Sequence, residues 1–507
     1  MRRLRNIPSR TTQGGIIFLL TLLFFALVMY CAPFSSDDLE HILFQRTQIG
    51  QALHDVLYYG NGRFLGNLGT IYLCNNTVLR VSCKALSSAL LAALLPAALG
   101  IYSPRHHLLS FLLIICMSGS LFGQVFTWTS GFTNYIPPIL FCLIVLCLLR
   151  SLPARGKIGR FLIHILIICF GTAAQLFNEV ATVFNCLLSV ILLAIAVSKN
   201  GRRSGPLTFT LASFAGAAIM YLLPIVFYVE NNRSSGYRSV AAGGLKSMVA
   251  SVITHSSSLS AYIAENLVLC LLLCFCAYHV LHKYGLPGRY AAAARVLRHL
   301  IIIAAVYFLC NCFVNNGIWH GRLKPVRHLL SFVFVLIPLA GMFIGVMLGR
   351  RIRYRLHFAV LFALSLFVIL PLLIVNPISM RCLAQFYVTQ AAVILLYCAR
   401  YVEIPEARIR TVNRMLCLTA VSVAIVISMA FVNIRWLSDT RDRYIARQME
   451  QGATEIAIFP IPYDYVFWDG PATYPYMYHY SQPGDIRFIA IPYEDWSWMY
   501  GVEETDA

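Results

Sequence analysis

Two adjacent carboxylates, Asp37 and Asp38, follow directly on an apolar run that ends at Ala32-Pro33-Phe34. Carboxylates this close repel one another and lose hydration beside a bilayer, so they call for a polar cavity, a cationic partner or a task. Taking a proton from an attacking hydroxyl is one such task. Tyr58-Tyr59-Gly60-Asn61-Gly62-Arg63-Phe64 comes next, with two glycines able to bend the chain and Arg63 able to return over the acidic pair.

Three further clusters carry chemistry. Phe126-Thr127-Trp128-Thr129-Ser130-Gly131-Phe132-Thr133-Asn134-Tyr135 offers aromatic faces, hydroxyls and an amide. Trp128, Asn134 and Tyr135 suit stacking on a sugar ring and bonding to its hydroxyls; an interfacial aromatic belt is the plainer reading. Gln175-Leu176-Phe177-Asn178-Glu179 interrupts an apolar stretch, and Gln175, Asn178 and Glu179 are costly there unless they face a cavity or one another. Residues 315–328 gather His320, Arg322, Lys324 and Arg327, and Arg381 stands isolated between two apolar segments. Arg offers a fixed fork of donors for phosphate oxygens, so Arg322, Lys324 and Arg381 are candidates for a phosphate clamp, with His320 beside them. A solvated face at residues 315–328 and snorkelling at Arg381 are the alternatives.

Elements that would position these groups are set by composition. The chain has 507 residues, 59% hydrophobic and 12% charged, and a mean hydropathy of +0.71, which marks an integral membrane protein. A spanning helix needs about 20 apolar residues, and about thirteen such segments can be placed, the first at 15–33 and the next at 84–102 and 108–125. Short cytoplasmic loops retain Lys and Arg. With the first basic cluster, Arg2 to Arg10, inside, alternation puts Arg105, Arg150 to Arg160, Lys199 to Arg203, Lys283 to Arg298, Arg350 to Arg355 and Arg400 to Arg414 inside as well. Nearly every carboxylate is then outside, and so is the C-terminus. The same asymmetry accounts for the net charge of +19 through the positive-inside pattern and anionic lipid, without nucleic acid.

The expected fold is therefore an all-α polytopic membrane protein, N-in and C-out, with a transmembrane domain at 1–432 and an outer loop at 34–83. The periodicity of Leu39, Ile42, Leu43, Ile49, Leu53, Val56 and Leu57 predicts an interfacial helix within an outer segment over 39–82. Spans at 207–228 and 261–281 flank a Gly-rich outer loop, a candidate lid. Residues 433–507 are rich in Tyr, Trp, Pro and Asp, and predict a small extracytoplasmic α/β cap with strands near Glu455-Ile456-Ala457-Ile458-Phe459 and Asp485 to Ile491. The 16 cysteines lack metal or redox spacing and lie mostly inside apolar spans, where they read as packing residues; Cys74 and Cys83 lie in or near external sequence and could pair, though nothing requires it. No Walker A loop, dinucleotide fingerprint or nucleophile elbow is evident, which disfavours an energy-coupled pump.

The inside anchor, the early acidic pair, the interfacial helices, 11 to 13 spans and the trailing outer domain resemble the GT-C superfamily of polyprenyl-phosphate-sugar glycosyltransferases. More narrowly, Asp37-Asp38, Gly62-Arg63-Phe64, residues 128–135 and 175–179 resemble a bacterial membrane family of the DUF6056 type, related to the GtrII glucosyltransferase group. The resemblance implies an inverting sugar transfer from a polyprenyl-phosphate donor to a glycan or lipid acceptor at the outer face of the cytoplasmic membrane. Asp37 or Asp38 would be the base, while Arg381, with Arg322 or Lys324, would hold the phosphate. Some members of the superfamily use a divalent metal such as Mg or Mn; Asp37, Asp38 and Glu179 are oxygen donors, but no complete coordination set is legible. A flippase or transporter for a lipid-linked glycan is the rival reading, and a glycan polymerase or ligase a third.

Overall fold

The computed structural model describes residues 7–35, 38, 50, 62–222, 239–240, 244–314, 323–349, 352–376, 378–463, 466–467, 487–491 and 493. The helices in chain order are α1 (Ile7–Cys31), α2 (Phe64–Asn75), α3 (Thr77–Ala98), α4 (Pro104–Ile115), the short α5 (Gly119–Phe122), α6 (Thr129–Ser151), α7 (Lys157–Ala173), α8 (Glu179–Ser198) and α9 (Ser204–Leu222). After them come α10 (Gly244–Ala264), α11 (Leu267–Lys283), α12 (Ala291–Val314), α13 (Lys324–Leu348), α14 (Arg355–Ile369), α15 (Ala384–Tyr401) and α16 (Glu406–Glu450). Sheet is confined to an antiparallel two-residue pair, β1 (Ser239–Val240) with β2 (Val375–Asn376), and a parallel pair, β3 (Glu455–Ile458) with β4 (Arg487–Ala490).

The chain is an all-α polytopic membrane protein. Among the described residues ten helices are long and apolar enough to cross a bilayer, or twelve if each of two bent pairs is one span. Apolar side chains such as Leu19, Leu20 and Leu23 of α1 and Val426 and Met429 of α16 are exposed, as lipid-facing residues are, while polar side chains gather inside. The expected thirteen spans shrink for two physical reasons. α7 has 17 residues, the lower limit for a span. The segment expected to run straight over 108–125 turns by 93° between α4 and α5, and a second turn of 91° separates α10 from α11.

α15 is the central helix, with every residue from Ala384 to Tyr397 buried. A helix apolar on all sides belongs in a core, and its polar groups find partners there. The Tyr387 hydroxyl donates to the Leu113 carbonyl, Gln390 Nε2 donates to Ser365 Oγ at 2.8 Å, and the Tyr397 hydroxyl lies 2.6 Å from His279 Nδ1. Around it pack α3, α4, α6, α11 and α14. Close approach elsewhere depends on small residues. A Cβ at Gly171 would meet that of Ala212 at 3.1 Å, where α7 lies on α9.

Several sequence boundaries move. The outer segment expected over 39–82 contains α2, and α3 begins at Thr77 under an Asn76 cap rather than at 84. The interfacial helix expected there and most of the candidate lid lie outside the described residues, but Gly244, expected in that loop, starts α10. The two strands of the C-terminal region form as expected, and α16 runs unbroken for 45 residues from Glu406 to Glu450. All sixteen cysteines are free thiols, Cys74 and Cys83 included.

Lys283 pairs with Glu403 at 3.2 Å, Arg400 lies over Tyr354, and the Arg150 guanidinium lies against Gly100. Arg63 pairs with Glu179 and Arg327 with Glu265, each at 2.9 Å.

Candidate functional site

The site gathers where α6 and α8 begin. α5 continues as a π-helical turn over Gly123–Thr127, a rare geometry that breaks the ladder, and Trp128 N then bonds Gly123 O at 3.0 Å before α6 starts at Thr129. Gly131 permits this, because a Cβ there would fall 1.9 Å from Gln124 O. The first N–H groups of a helix have no partner within it and carry partial positive charge. Asp38, completely buried, supplies the partner. Its Oδ2 accepts from Thr129 N at 2.9 Å, and its Oδ1 accepts from Ser130 N and Ser130 Oγ, both at 2.9 Å.

Two buried cations of α3 share this charge. Arg80 and Lys84, one turn apart, both interact electrostatically with Asp38. Lys84 Nζ donates to Thr127 O at 2.6 Å, a carbonyl beside the π turn, and lies 5.6 Å from the centre of the Phe132 ring. The Arg80 guanidinium sits 4.0 Å over Phe34. An uncompensated charge this deep is costly, so the three groups depend on one another.

At the start of α8 the arrangement differs. Asn178 caps the helix, its Oδ1 accepting from Ala181 N at 2.8 Å, and its Nδ2 donates to the Asn134 carbonyl of α6. Glu179 occupies the first turn with its side chain 39% exposed. Gly62 adopts φ +79° and turns the chain so that Arg63 reaches across: Nε donates to Glu179 Oε1 at 3.2 Å and Nη2 to Oε2 at 2.9 Å. Burial opposes the charge on Arg63, but Glu179 beside it outweighs that and holds the guanidinium above its ordinary pKa. Leu65 N bonds Leu176 O at 2.9 Å, and a Cβ at Gly66 would meet Asn134 Oδ1 at 2.3 Å, so α2 lies flat on the two helix starts.

Arg381 arrives from a 3-10 turn, Met380–Leu383, that leads into α15. Its guanidinium stands 4.7 Å over Trp128, its backbone N–H donates to Gln124 Oε1 at 3.3 Å, and the neighbouring Cys382 Sγ is 3.8 Å from the Tyr135 hydroxyl. Arg63 and Arg381 both act electrostatically on Tyr135. Two guanidinium groups, one aromatic face, one phenol and one half-exposed carboxylate thus share a single end of the helix bundle.

The structure therefore brings together Asp38, Arg63, Trp128, Asn134, Tyr135, Asn178, Glu179 and Arg381. Gln175 is buried one turn away and donates from Nε2 to Gly171 O at 2.8 Å, a bond within its own helix end. Lys324 is exposed at the start of α13 and interacts with His328, outside this group. Asp37, His320 and Arg322 lie outside the described residues. The described bonds of Asp38 all go to the start of α6, so it caps that helix. Sequence reading missed Arg80 and Lys84; the signal was two cations four residues apart entering an apolar span. It also passed over Glu265, whose bond from Arg327 Nη2 at 2.9 Å lies near Tyr262 and Cys382.

Among the described residues no three His, Cys, Asp or Glu side chains converge as metal ligands. No family model, curated protein or solved structure matches the chain.

Proposed function

We propose that the protein is a glycosyltransferase that moves a sugar from a polyprenyl-phosphate donor to a cell-surface glycan or lipid acceptor. The observation that carries this reading is the convergence of Arg63 and Arg381 on Tyr135 beside the Trp128 face and Glu179. The acceptor hydroxyl attacks the anomeric carbon, the carbon–oxygen bond to phosphate breaks, and polyprenyl phosphate departs with the electron pair. Charge grows on the leaving phosphate, where Arg381 and Arg63 stabilise it; donors fixed in advance cost no reorganisation at that moment. Trp128 stacks on the sugar, with Arg381 above its ring. The proton released by the acceptor goes to a carboxylate, for which Glu179 and Asp37 are the candidates. Asp38 acts one step removed, by fixing the Trp128–Tyr135 segment through α6. The positive-inside bias puts this end of the bundle on the outer, periplasmic face of the cytoplasmic membrane.

One observation favours the rival flippase: helices broken by 93° and 91° resemble the discontinuous helices of transporters. Proteoliposomes containing the purified full chain and a polyprenyl-phosphate sugar separate the two. Transfer to acceptor that falls about a hundredfold in Arg381→Ala supports the transferase, a size typical of losing one preorganised donor. Movement of the lipid between leaflets with no sugar transferred would sink it. Glu179→Gln and Asp37→Asn assayed side by side identify the base.

A further inference from the structure

A cavity of about 360 Å³ runs between α3, α6, α8, α14 and α15, away from the group just described. Leu143, Leu188 and Leu364 typify its walls, and it follows α6 from Ile139 to Arg150 and α8 from Phe184 to Lys199. At 1.5 Å per residue these stretches are roughly 16 and 22 Å long, so the space is a slot parallel to the helices. Its depth ends near Gln385 and Thr389, and the Thr389 hydroxyl is turned into its own helix, donating to Gln385 O at 2.7 Å. Its mouth is cationic. Arg150, Lys199 and His357 line it, all three exposed, and His357 feels the charges of Lys199, Arg150 and Arg400. Arg150 is fixed there by Nε donating to Ala98 O at 2.6 Å.

We infer that this slot binds an anionic phospholipid of the surrounding leaflet, with one acyl chain along the apolar walls and the phosphate at Arg150, Lys199 and His357. Charge complementarity selects the headgroup: two cations, Arg150 and Lys199, with the His357 imidazole beside them at one apolar opening attract a phosphate, and no described carboxylate is ion-paired with them. The lining excludes a free, water-soluble anion from the slot itself, since nothing along the leucine walls would replace its hydration. The site is separate from the proposed transfer site, because its cations stand at the C-terminal ends of α6 and α8 while Arg63 and Arg381 stand near their starts. Its occupancy does not depend on the chemistry proposed there.

Native mass spectrometry of the full chain in detergent micelles tests the inference. Phosphatidylglycerol and phosphatidylcholine with identical acyl chains are the probes, with glycerol phosphate and a polyprenyl phosphate as competitors. Phosphatidylglycerol should be retained roughly tenfold more tightly than phosphatidylcholine, and Lys199→Gln/His357→Gln should remove most of that preference. These two side chains are exposed, so the double variant should keep its melting temperature, and Ala392→Phe, which fills the slot, should weaken both lipids. Equal retention of the two phospholipids would overturn the inference, as would an unchanged preference in the double variant. So would competition by glycerol phosphate at the concentration of the lipid, or tighter binding of polyprenyl phosphate than of phosphatidylglycerol.

Discussion

α6 and α8 run side by side from one chemical setting into another. At their starts Asp38, Arg63, Glu179 and Arg381 each lie against an opposite charge, a ring or a helix end, at distances between 2.9 and 4.7 Å. At their far ends Arg150, Lys199 and His357 stand exposed around an apolar slot. Charges locked by several partners hold a geometry, which is what chemistry on a substrate requires. Charges left at a lipid-facing opening select by sign alone. The difference teaches that cation number says little by itself; what separates the two ends is how many of each cation's directions are already taken.

The largest effect should come from the locked end. Asp38→Ala strands two buried cations and uncaps α6, so the protein should lose about 3–5 kcal/mol, measured by denaturation in detergent. A stable Asp38→Ala protein that has lost only transfer would instead return Asp38 to the role of base. Gly131→Ala comes next, since its new Cβ would meet the Gln124 carbonyl, a backbone atom that cannot step aside; about 3 kcal/mol is expected by the same measurement. Gly100→Ala, at the open end, makes the contrast. There the obstacle, 2.7 Å away, is a terminal nitrogen of Arg150, which can swing into solvent. What remains is the cost of φ +73° for alanine, about 1–2 kcal/mol. Arg63→Lys keeps the charge but loses the fork to Glu179; its melting should fall by about 1 kcal/mol, because Glu179 is partly solvated, while transfer falls about tenfold or more. Smallest of all is Arg435→Ala on α16, an exposed pair with Asp439 four residues on, expected at or below about 0.5 kcal/mol.

The membrane class, the order of most helices and the two late strands were legible because hydropathy and strand pattern are local. The break at Gln175–Glu179 was legible as polar residues in an apolar stretch, while the Asn178 cap and acidic first turn of α8 come from the structure. The coming together of Trp128, Glu179 and Arg381 at one end followed from counting spans. What sequence could not supply was direction. Whether Asp38 faces a cavity or a helix start depends on α6, about ninety positions later, lying directly beneath it, and no local pattern encodes that. The bends before Gly119 and Leu267 were hidden for a related reason: each falls inside a segment apolar enough overall to read as one span, although Glu265-Asn266 stands at the second bend. α16 continues past 433 because a change from apolar to charged residues does not end a helix whose residues favour one throughout.

That unbroken helix reaches beyond the region a bilayer could surround. From Val432 to Glu450 it covers about 27 Å, and the returning chain is tied along it, with Asn433 Nδ2 donating to the Tyr463 hydroxyl and Arg441 Nη1 to Phe459 O. Lipid and water therefore grip opposite halves of one stiff rod. Any tilt that a thicker or thinner bilayer imposes on the lower half swings the small parallel sheet at the top by an angle of the same size.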